Sequence, residues 1–268
     1  MRHTALTLSV PALGTFGETR AVLAECGLGA RLETVEILWD NYCSLDPVRL
    51  RDDLAVLADE VMIHTMWSRF LEIDDDAFAA FARHLREHVQ VLRPTAVSDH
   101  LCRFMFGGLF VAAGQEIAYD RIDHAADRVA RYQDAIGQRL LVENTASIEH
   151  PVQRQLAYLD ELMRRTGCGV LFDVSNAVAG ELNGCGDVTE WLPLVAGHDL
   201  RCHVGSYSRD EEIDCYVDSH DSDVSAATTR ALPLVLAAAN VASVTYERDF
   251  NRSVGAIARD VDQIRALL

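Results

Sequence analysis

The sequence predicts a TIM (β/α)8 barrel, and three observations support this fold class. Eight short aliphatic or β-branched segments recur along the chain, helical patterns fit between them, and the chain has 268 residues. Strands that alternate with helices predict a parallel sheet covered by helices, and eight such units over about 250 residues have the size of a TIM barrel. We expect residues 1–268 to form a single barrel domain. A doubly wound open sheet is the structural alternative.

Each predicted strand is a short run rich in Val, Ile, Leu and Thr, as expected for a buried parallel strand. The runs are TALTLSV (4–10), TVEILW (34–39), EVMIHT (60–65), TAVSDH (95–100), RLLVEN (139–144), GVLFDV (169–174), DLRCHV (199–204) and SVTYER (243–248).

The predicted helices follow from apolar periodicity and from end signals. Residues 74–92 place apolar side chains on one helical stripe and begin with three aspartates, which suit the positive end of the helix dipole. Two further segments, 118–137 and 152–167, each end at a glycine, a common helix stop. Residues 224–240 and 254–268 also have helical patterns.

Composition excludes several classes of protein. The chain is 49% hydrophobic and 24% charged, which is typical of a globular protein. Its net charge of −17 argues against nucleic-acid binding, which depends on Lys and Arg. Seven cysteines without a CxxC pair argue against a disulfide framework. No stretch reaches about 18 apolar residues, so we expect no membrane association and a cytoplasmic protein.

The polar residues at the ends of the predicted strands are the strongest functional signal. In a TIM barrel, the carboxyl ends of all strands surround one cavity. The residues at or just beyond these ends are His64, Asp99, His100, Glu143, Asn144, Asp173, Asn176, His203, Asp218, His220, Asp221 and Glu247. Buried charges must be paired or must coordinate metal. Imidazole with carboxylate suits iron, zinc or manganese, and the number of ligands favours two or three ions.

Other interpretations of single residues remain open at this point. His100 alone would more often be a satisfied buried histidine. Glu36 is either a carboxylate on a sheet face or a substrate contact. His84 and His88 have the i,i+4 spacing of a helical metal pair, but their charged neighbours favour a solvated helix face.

Eight segments carry a resemblance to a known family. They are VEILWDNY (35–42), HTMWSRFLE (64–72), RPTAVSDHL (93–101), LVENTAS (141–147), GVLFDVSNA (169–177), CHVGSY (202–207), DSHD (218–221) and TYERDF (245–250). In this order they resemble the multinuclear non-heme iron dependent oxidative enzymes, and within that family the MbnB-like methanobactin biosynthesis oxidases. The resemblance covers nearly the whole chain and implies a TIM barrel that holds two to three iron ions (Fe2+/Fe3+) and uses O2 as co-substrate.

The resemblance also implies roles for individual residues. One iron would be held by His64, His100 and Glu143. A second would share Glu143 and would take three more ligands, which are Asp173, His203 and Glu247. These six residues would be the catalytic ones. A third site would use Asp218 and His220 with Asn176 or Asp173, and Asp99 would orient a ligand histidine.

The activity implied is oxidation of cysteines in a ribosomal precursor peptide to oxazolone and thioamide groups, in a heterodimer with an MbnC-like partner protein. Trp67 and residues 208–217 depart from the family pattern, and we expect both to line the substrate side. The alternatives are a metal-dependent hydrolase, a sugar isomerase or an abasic-site endonuclease on the same barrel, and a scaffold with structural metals. The acidic charge argues against the endonuclease, and no lysine lies in these motifs to serve an isomerase.

Overall fold

Eight parallel strands close into a barrel in the computed structural model, which describes residues 4–196 and 198–268, apart from the side chains of 106, 112 and 113. The twelve strands are β1 Ala5–Val10, β2 Leu32–Leu38, β3 Ala58–Thr65, β4 Ala96–His100, β5 Arg103–Phe106, β6 Leu109–Gln115, β7 Leu140–Glu143, β8 Gly169–Asp173, β9 Asp199–Val204, β10 Tyr207–Asp210, β11 Cys215–Asp218 and β12 Asn240–Tyr246. The barrel order is β1-β12-β9-β8-β7-β4-β3-β2, and the other four strands form two hairpins, β5–β6 and β10–β11. The predicted fold class is confirmed. Residues 1–3 and 197, which the single-domain prediction includes, lie outside the described residues.

Nine α-helices occur in the described residues and cover the barrel strands. They are α1 Phe16–Glu25, α2 Pro47–Leu54, α3 Asp75–Leu92, α4 Ile122–Ile136, α5 Val152–Thr166, α6 Val174–Leu182, α7 Leu192–Val195, α8 Ala226–Ala238 and α9 Val254–Arg265. The five predicted helices are α3, α4, α5, α8 and α9. The Asp74 side chain caps α3 by accepting from the Ala77 amide, and Gly137 and Gly167 end α4 and α5 in the left-handed conformation.

Side-chain alternation along each strand gives the barrel an apolar layer beneath the helices and a separate interior around its axis. Residues that point outward, such as Val97, Val142, Phe172 and Val244, are fully buried beneath the helices. Each such side chain stabilises the fold by about 1.5–3 kcal/mol relative to an exposed one. The inward positions of several strands are polar instead, and Thr7, Thr245 and His203 lie in register there. The barrel axis is therefore a polar environment that leads to the carboxyl ends of the strands.

None of the helices in the described part of the chain has the length and apolar character needed to cross a membrane.

Candidate metal centre

The first group of candidate ligands lies at the ends of three neighbouring strands. His64 is near the end of β3, His100 ends β4 and Glu143 ends β7. The Nε2 atoms of His64 and His100 lie 3.4 and 3.2 Å from the same oxygen, Glu143 Oε2. All three side chains are buried. The predicted first set of ligands is thus brought together.

The second group lies beside the first and shares Glu143 with it. His203 Nδ1 lies 2.8 Å from Glu247 Oε2 and 3.3 Å from Glu143 Oε1. Asp173 completes the group, whose four ligand atoms all lie within 4.8 Å of one another. Glu143 therefore presents one oxygen to each group, which is the arrangement of a bridging carboxylate.

A third group forms where β11 ends. Asp218 Oδ1 lies 2.8 Å from His220 Nε2, and Asp173 offers a ligand atom within 4.8 Å of those of both residues. The His220 backbone adopts the left-handed conformation, with φ 48°. A Cβ at position 205 would stand 2.7 Å from the His220 ring, so only glycine fits at position 205. Asn176, in the first turn of α6, donates through Nδ2 to the Asn144 carbonyl oxygen.

Buried polar atoms that have no hydrogen-bond partner outside the three groups support metal binding by these groups. Within the described residues they include Glu143 Oε2, Asp173 Oδ2, Asn176 Oδ1, His203 Nδ1, Asp218 Oδ1, His220 Nε2 and Glu247 Oε2. Atoms of this kind cost free energy unless something compensates them, and the three groups converge on one another. The donor set of imidazole nitrogens and carboxylate oxygens fits iron, zinc or manganese.

The crowding of charge shifts the pKa of several of these groups. Burial and the neighbouring histidines hold the pKa of His64 well below its usual value, so this ring is neutral and ready to ligate. Burial opposes the charged form of His203, but Glu247, Glu36 and Glu143 outweigh it and raise its pKa well above 6.5. Burial and three nearby carboxylates raise the pKa of Asp173. In the metal-free protein, protons on histidine therefore compensate the carboxylates that a cation would otherwise neutralise.

Three of the histidines have a partner on the side of the ring that faces away from the other ligands. Ser98 Oγ lies 2.9 Å from His64 Nδ1, and the same hydroxyl can donate to the Ile63 carbonyl oxygen. His64 then donates through Nδ1 and keeps Nε2 free for metal. Asp249 Oδ2 accepts from His220 Nδ1 at 3.1 Å, and Glu36 Oε1 lies 2.8 Å from His203 Nε2. Neither Ser98 nor Asp249 is a site residue that the strand-end pattern in the sequence predicts.

Asp99 does not orient a histidine ring, and that prediction was wrong. Its Oδ1 accepts from the His100 backbone amide at 2.8 Å, and its carboxyl also faces the hydroxyls of Thr65 and Ser68. Strand alternation is the cause, because Ser98 and His100 point inward and Asp99 between them points outward toward the helices. Burial, partly offset by these hydroxyls, raises the pKa of Asp99 to about 7.

The pair His84 and His88 lies on α3, outside the three candidate groups. Their rings contact Trp39 at 5.4 and 5.5 Å between centroids. His84 is partly exposed, but His88 is buried, with Nε2 3.2 Å from the Leu45 carbonyl oxygen. The expectation of a solvated face was therefore wrong for His88, because Trp39 and the loop that carries Leu45 cover this part of the helix.

A cavity of about 530 Å³ opens above the three groups. His100, Asn176, Asp218 and His220 contribute to its lining, and most of its remaining wall is apolar. Trp67 lines this cavity, as expected for the substrate side, while Val217 is the only member of segment 208–217 in its lining. Cavities of this size with a few convergent polar groups are typical of small-molecule and side-chain binding sites.

Fold and site together define a TIM-barrel protein whose cavity floor carries histidine and carboxylate groups able to hold metal ions. Residues 26–268 match the family described as RiPP precursor modification enzyme MbnB/TglH/ChrH, where RiPP denotes a ribosomally synthesised and modified peptide. The chain belongs to this family of peptide-modifying enzymes.

Curated relatives agree with this assignment. A UPF0276 protein of Bordetella bronchiseptica is 30% identical over 204 residues, which are 70% of this chain and 69% of that protein. A UPF0276 protein of Bordetella pertussis is 31% identical over 63% of each chain, so that match spans less than two thirds of the relative.

Solved structures show the same fold at low sequence identity. A xylose isomerase-like TIM barrel protein from Mycobacterium smegmatis in complex with magnesium has a TM-score of 0.66 and 15% identity, covering 99% of this chain and 98% of that one. An L-ribulose 3-epimerase has a TM-score of 0.64 and 15% identity, covering 99% and 94%. Endonuclease IV from Thermus thermophilus has a TM-score of 0.58 and 19% identity, covering 98% of both chains. These likenesses establish the barrel and nothing more specific.

Proposed function

We propose that this protein is a multinuclear iron, O2-dependent oxidase that converts cysteines of a ribosomal precursor peptide to oxazolone and thioamide groups, as in methanobactin biosynthesis. The single observation that carries the proposal is the position of Glu143, whose two oxygens face two separate groups of candidate ligands. A bridging carboxylate between histidine-containing sites suits a multinuclear centre. Membership of a peptide-modifying family supplies the class of substrate.

The first group would hold one iron through His64, His100 and Glu143, and the second would hold another through Glu143, Asp173, His203 and Glu247. Asp218 and His220, with Asn176 or Asp173, would hold a third. When bound, the irons would supply redox chemistry in which O2 takes four electrons from a peptide cysteine and is reduced to two waters. The protons on His203 and His220 would leave as metal binds.

The cavity walls would exclude water and orient the peptide. Trp67 and Phe104 present aromatic surface beside the floor residue His100. Leu109 and Phe110 are exposed at the start of β6, with the Phe110 ring centroid 6.3 Å from that of Trp67, and Phe250 is an exposed residue of the cavity lining. Exposed apolar surface of this kind favours contact with another chain. We place the enzyme in the cytoplasm, where its seven free cysteines would stay reduced, in a heterodimer with an MbnC-like partner protein.

The metal content of anaerobically purified protein, co-expressed with its genomic neighbours, tests this function. We expect two to three irons per chain and a magnetically coupled or mixed-valence signal in Mössbauer and EPR spectra. That signal should change when a cysteine-containing peptide is added. Glu143→Gln should abolish the coupling, whereas Glu87→Gln, on the exposed surface of α3, should leave it intact.

Tightly bound zinc alone, with no response to peptide after reconstitution with iron, would contradict the oxidase. That outcome would favour a hydrolase, isomerase or endonuclease on the same barrel, in line with the fold of the solved structures. The chain contains no lysine, so any isomerase that needs a catalytic lysine is already excluded. Metal that binds in closed coordination, without effect of peptide or O2, would instead indicate a scaffold.

A further inference from the structure

Glu36 is a buried carboxylate on the inner face of the barrel sheet, and it does not line the substrate cavity. It points inward from β2, is 2% exposed, and is absent from the cavity lining. Its Oε1 lies 2.8 Å from His203 Nε2, and both atoms are without a hydrogen-bond partner elsewhere in the described chain. The two groups are therefore each other's polar neighbours in the interior of the barrel.

The His203 ring is held between carboxylates on both sides. Its Nδ1 faces Glu247 Oε2 at 2.8 Å and Glu143 Oε1 at 3.3 Å, on the side of the candidate ligands. Its Nε2 faces Glu36 Oε1 at 2.8 Å on the other side of the ring. A ring in this orientation can offer only Nδ1 to a metal. A partner on the remote nitrogen fixes the tautomer and strengthens the ligand.

Arg201 supplies positive charge close to Glu36. It lies two residues before His203 on β9, so it shares the inward face. Its guanidinium donates to Ser243 Oγ at 3.0 Å and interacts electrostatically with Glu36. Arg201 therefore contributes favourable electrostatics toward Glu36 from the same inward face.

We propose that Glu36 is a positioning residue that fixes His203 as an Nδ1 ligand of the second metal site. The inference rests on the proposed metal centre and adds a residue that acts on it through His203. Because the close polar contact of Glu36 Oε1 is with His203 Nε2, its effect should be strongest at the second site.

Nitrogen-15 NMR of the histidine rings tests the proposal. Protein labelled on histidine is titrated with Zn2+, a redox-silent ion with similar ligands, and ring signals are assigned with single His→Gln variants. In the wild type we expect His203 to lose its proton at Nδ1 and to keep Nε2–H. In Glu36→Gln, the zinc concentration at the His203 midpoint should rise about 10- to 100-fold. The midpoints of His64 and His100 should stay within about twofold.

Glu60→Gln is the matched control. Glu60 also interacts electrostatically with Arg201, but it is exposed at the opposite end of β3 and accepts from Thr34 Oγ1 rather than from a histidine. Its titration should superimpose on that of the wild type. Ligation of His203 through Nε2, or an unchanged midpoint in Glu36→Gln, would overturn the role of Glu36 and leave the metal centre standing. A wild type in which none of the rings responds to zinc would overturn the metal centre and this inference together.

Discussion

Asp99 combines complete burial with a position one residue before a candidate ligand. Its pKa of about 7 in the folded protein exceeds the value of 3.8 for a free aspartate, with burial as the largest cause. Between these two values the folded protein retains a proton that the unfolded chain has released. The free energy of unfolding therefore decreases as pH rises from about 4 to about 7, by a few kcal/mol.

Asp99→Asn should remove this dependence, because the amide keeps the shape and cannot ionise. We expect the variant to gain stability relative to the wild type as pH rises through this window. Urea unfolding of both proteins at pH 5 and pH 8 gives the comparison. If the free energies of unfolding of the two proteins differ by the same amount at pH 5 and at pH 8, the prediction is wrong.

The candidate ligands were predictable residue by residue, whereas their partners were not. His64, His100 and Glu143 end three predicted strands, and alternation alone places them inward. Ser98 was visible in the motif SDH, but assigning it to His64 requires the register between β3 and β4. Glu36 meets His203 across the barrel, a contact that no local pattern encodes. Burial of His88 likewise depends on Trp39 from another element.

The β10–β11 hairpin is the element that delivers Asp218 to the cavity. Asn183, at the end of α6, makes three hydrogen bonds, two of them to this hairpin. Its Oδ1 accepts from the Tyr216 amide at 2.7 Å, and its Nδ2 donates to the carbonyl oxygens of Tyr216 and Ser147. One side chain thus ties the hairpin to α6 and to the loop after β7.

Asn183→Ala should loosen this hairpin and weaken metal binding at the proposed third site. Each lost bond costs about 1 kcal/mol, so we expect affinity at the site containing Asp218 and His220 to fall at least about tenfold. The two sites that share Glu143 should keep their affinity. Metal titration followed through the histidine rings separates the sites. Asn240→Ala, which removes an amide that bonds Asp199 at the far end of the barrel, is the control.

Among the elements, long amphipathic helices were predictable from the sequence. Short helices, and helices that follow a strand without an intervening loop, were not. The helices α3 and α5 have clear apolar stripes and end signals. The helix α6 follows β8 directly, with Asp173 serving both as strand end and as helix cap, so the sequence shows one apolar run. The two hairpins are built from strands of four to seven residues, too short for a period of two to be read reliably.

Across the whole molecule, metal binding should be a major source of stability. Metal that binds only the folded barrel adds about 2.7 kcal/mol at a concentration 100 times its dissociation constant. For a domain of this size we expect chelation to lower Tm by about 5–10 °C. Calorimetry with and without chelator measures the shift.

Asp173→Asn should show a smaller shift in Tm on chelation, and in chelator it should have a higher Tm than the wild type, because one buried carboxylate is gone. A lower Tm for this variant in chelator would contradict the charge argument.

The barrel closes by pairing the first strand with the last, since β1 lies beside β12. The candidate metal centre forms only when the barrel closes, because Glu36 lies on the second strand and Glu247 follows the last one. A ribosome releases the chain from its amino end at about 5–20 residues per second. The ligands from β3 and β4 are therefore exposed for several seconds before Glu247 is even made. Correct loading with metal must then follow synthesis, and ions captured earlier by the nascent chain would have to be exchanged.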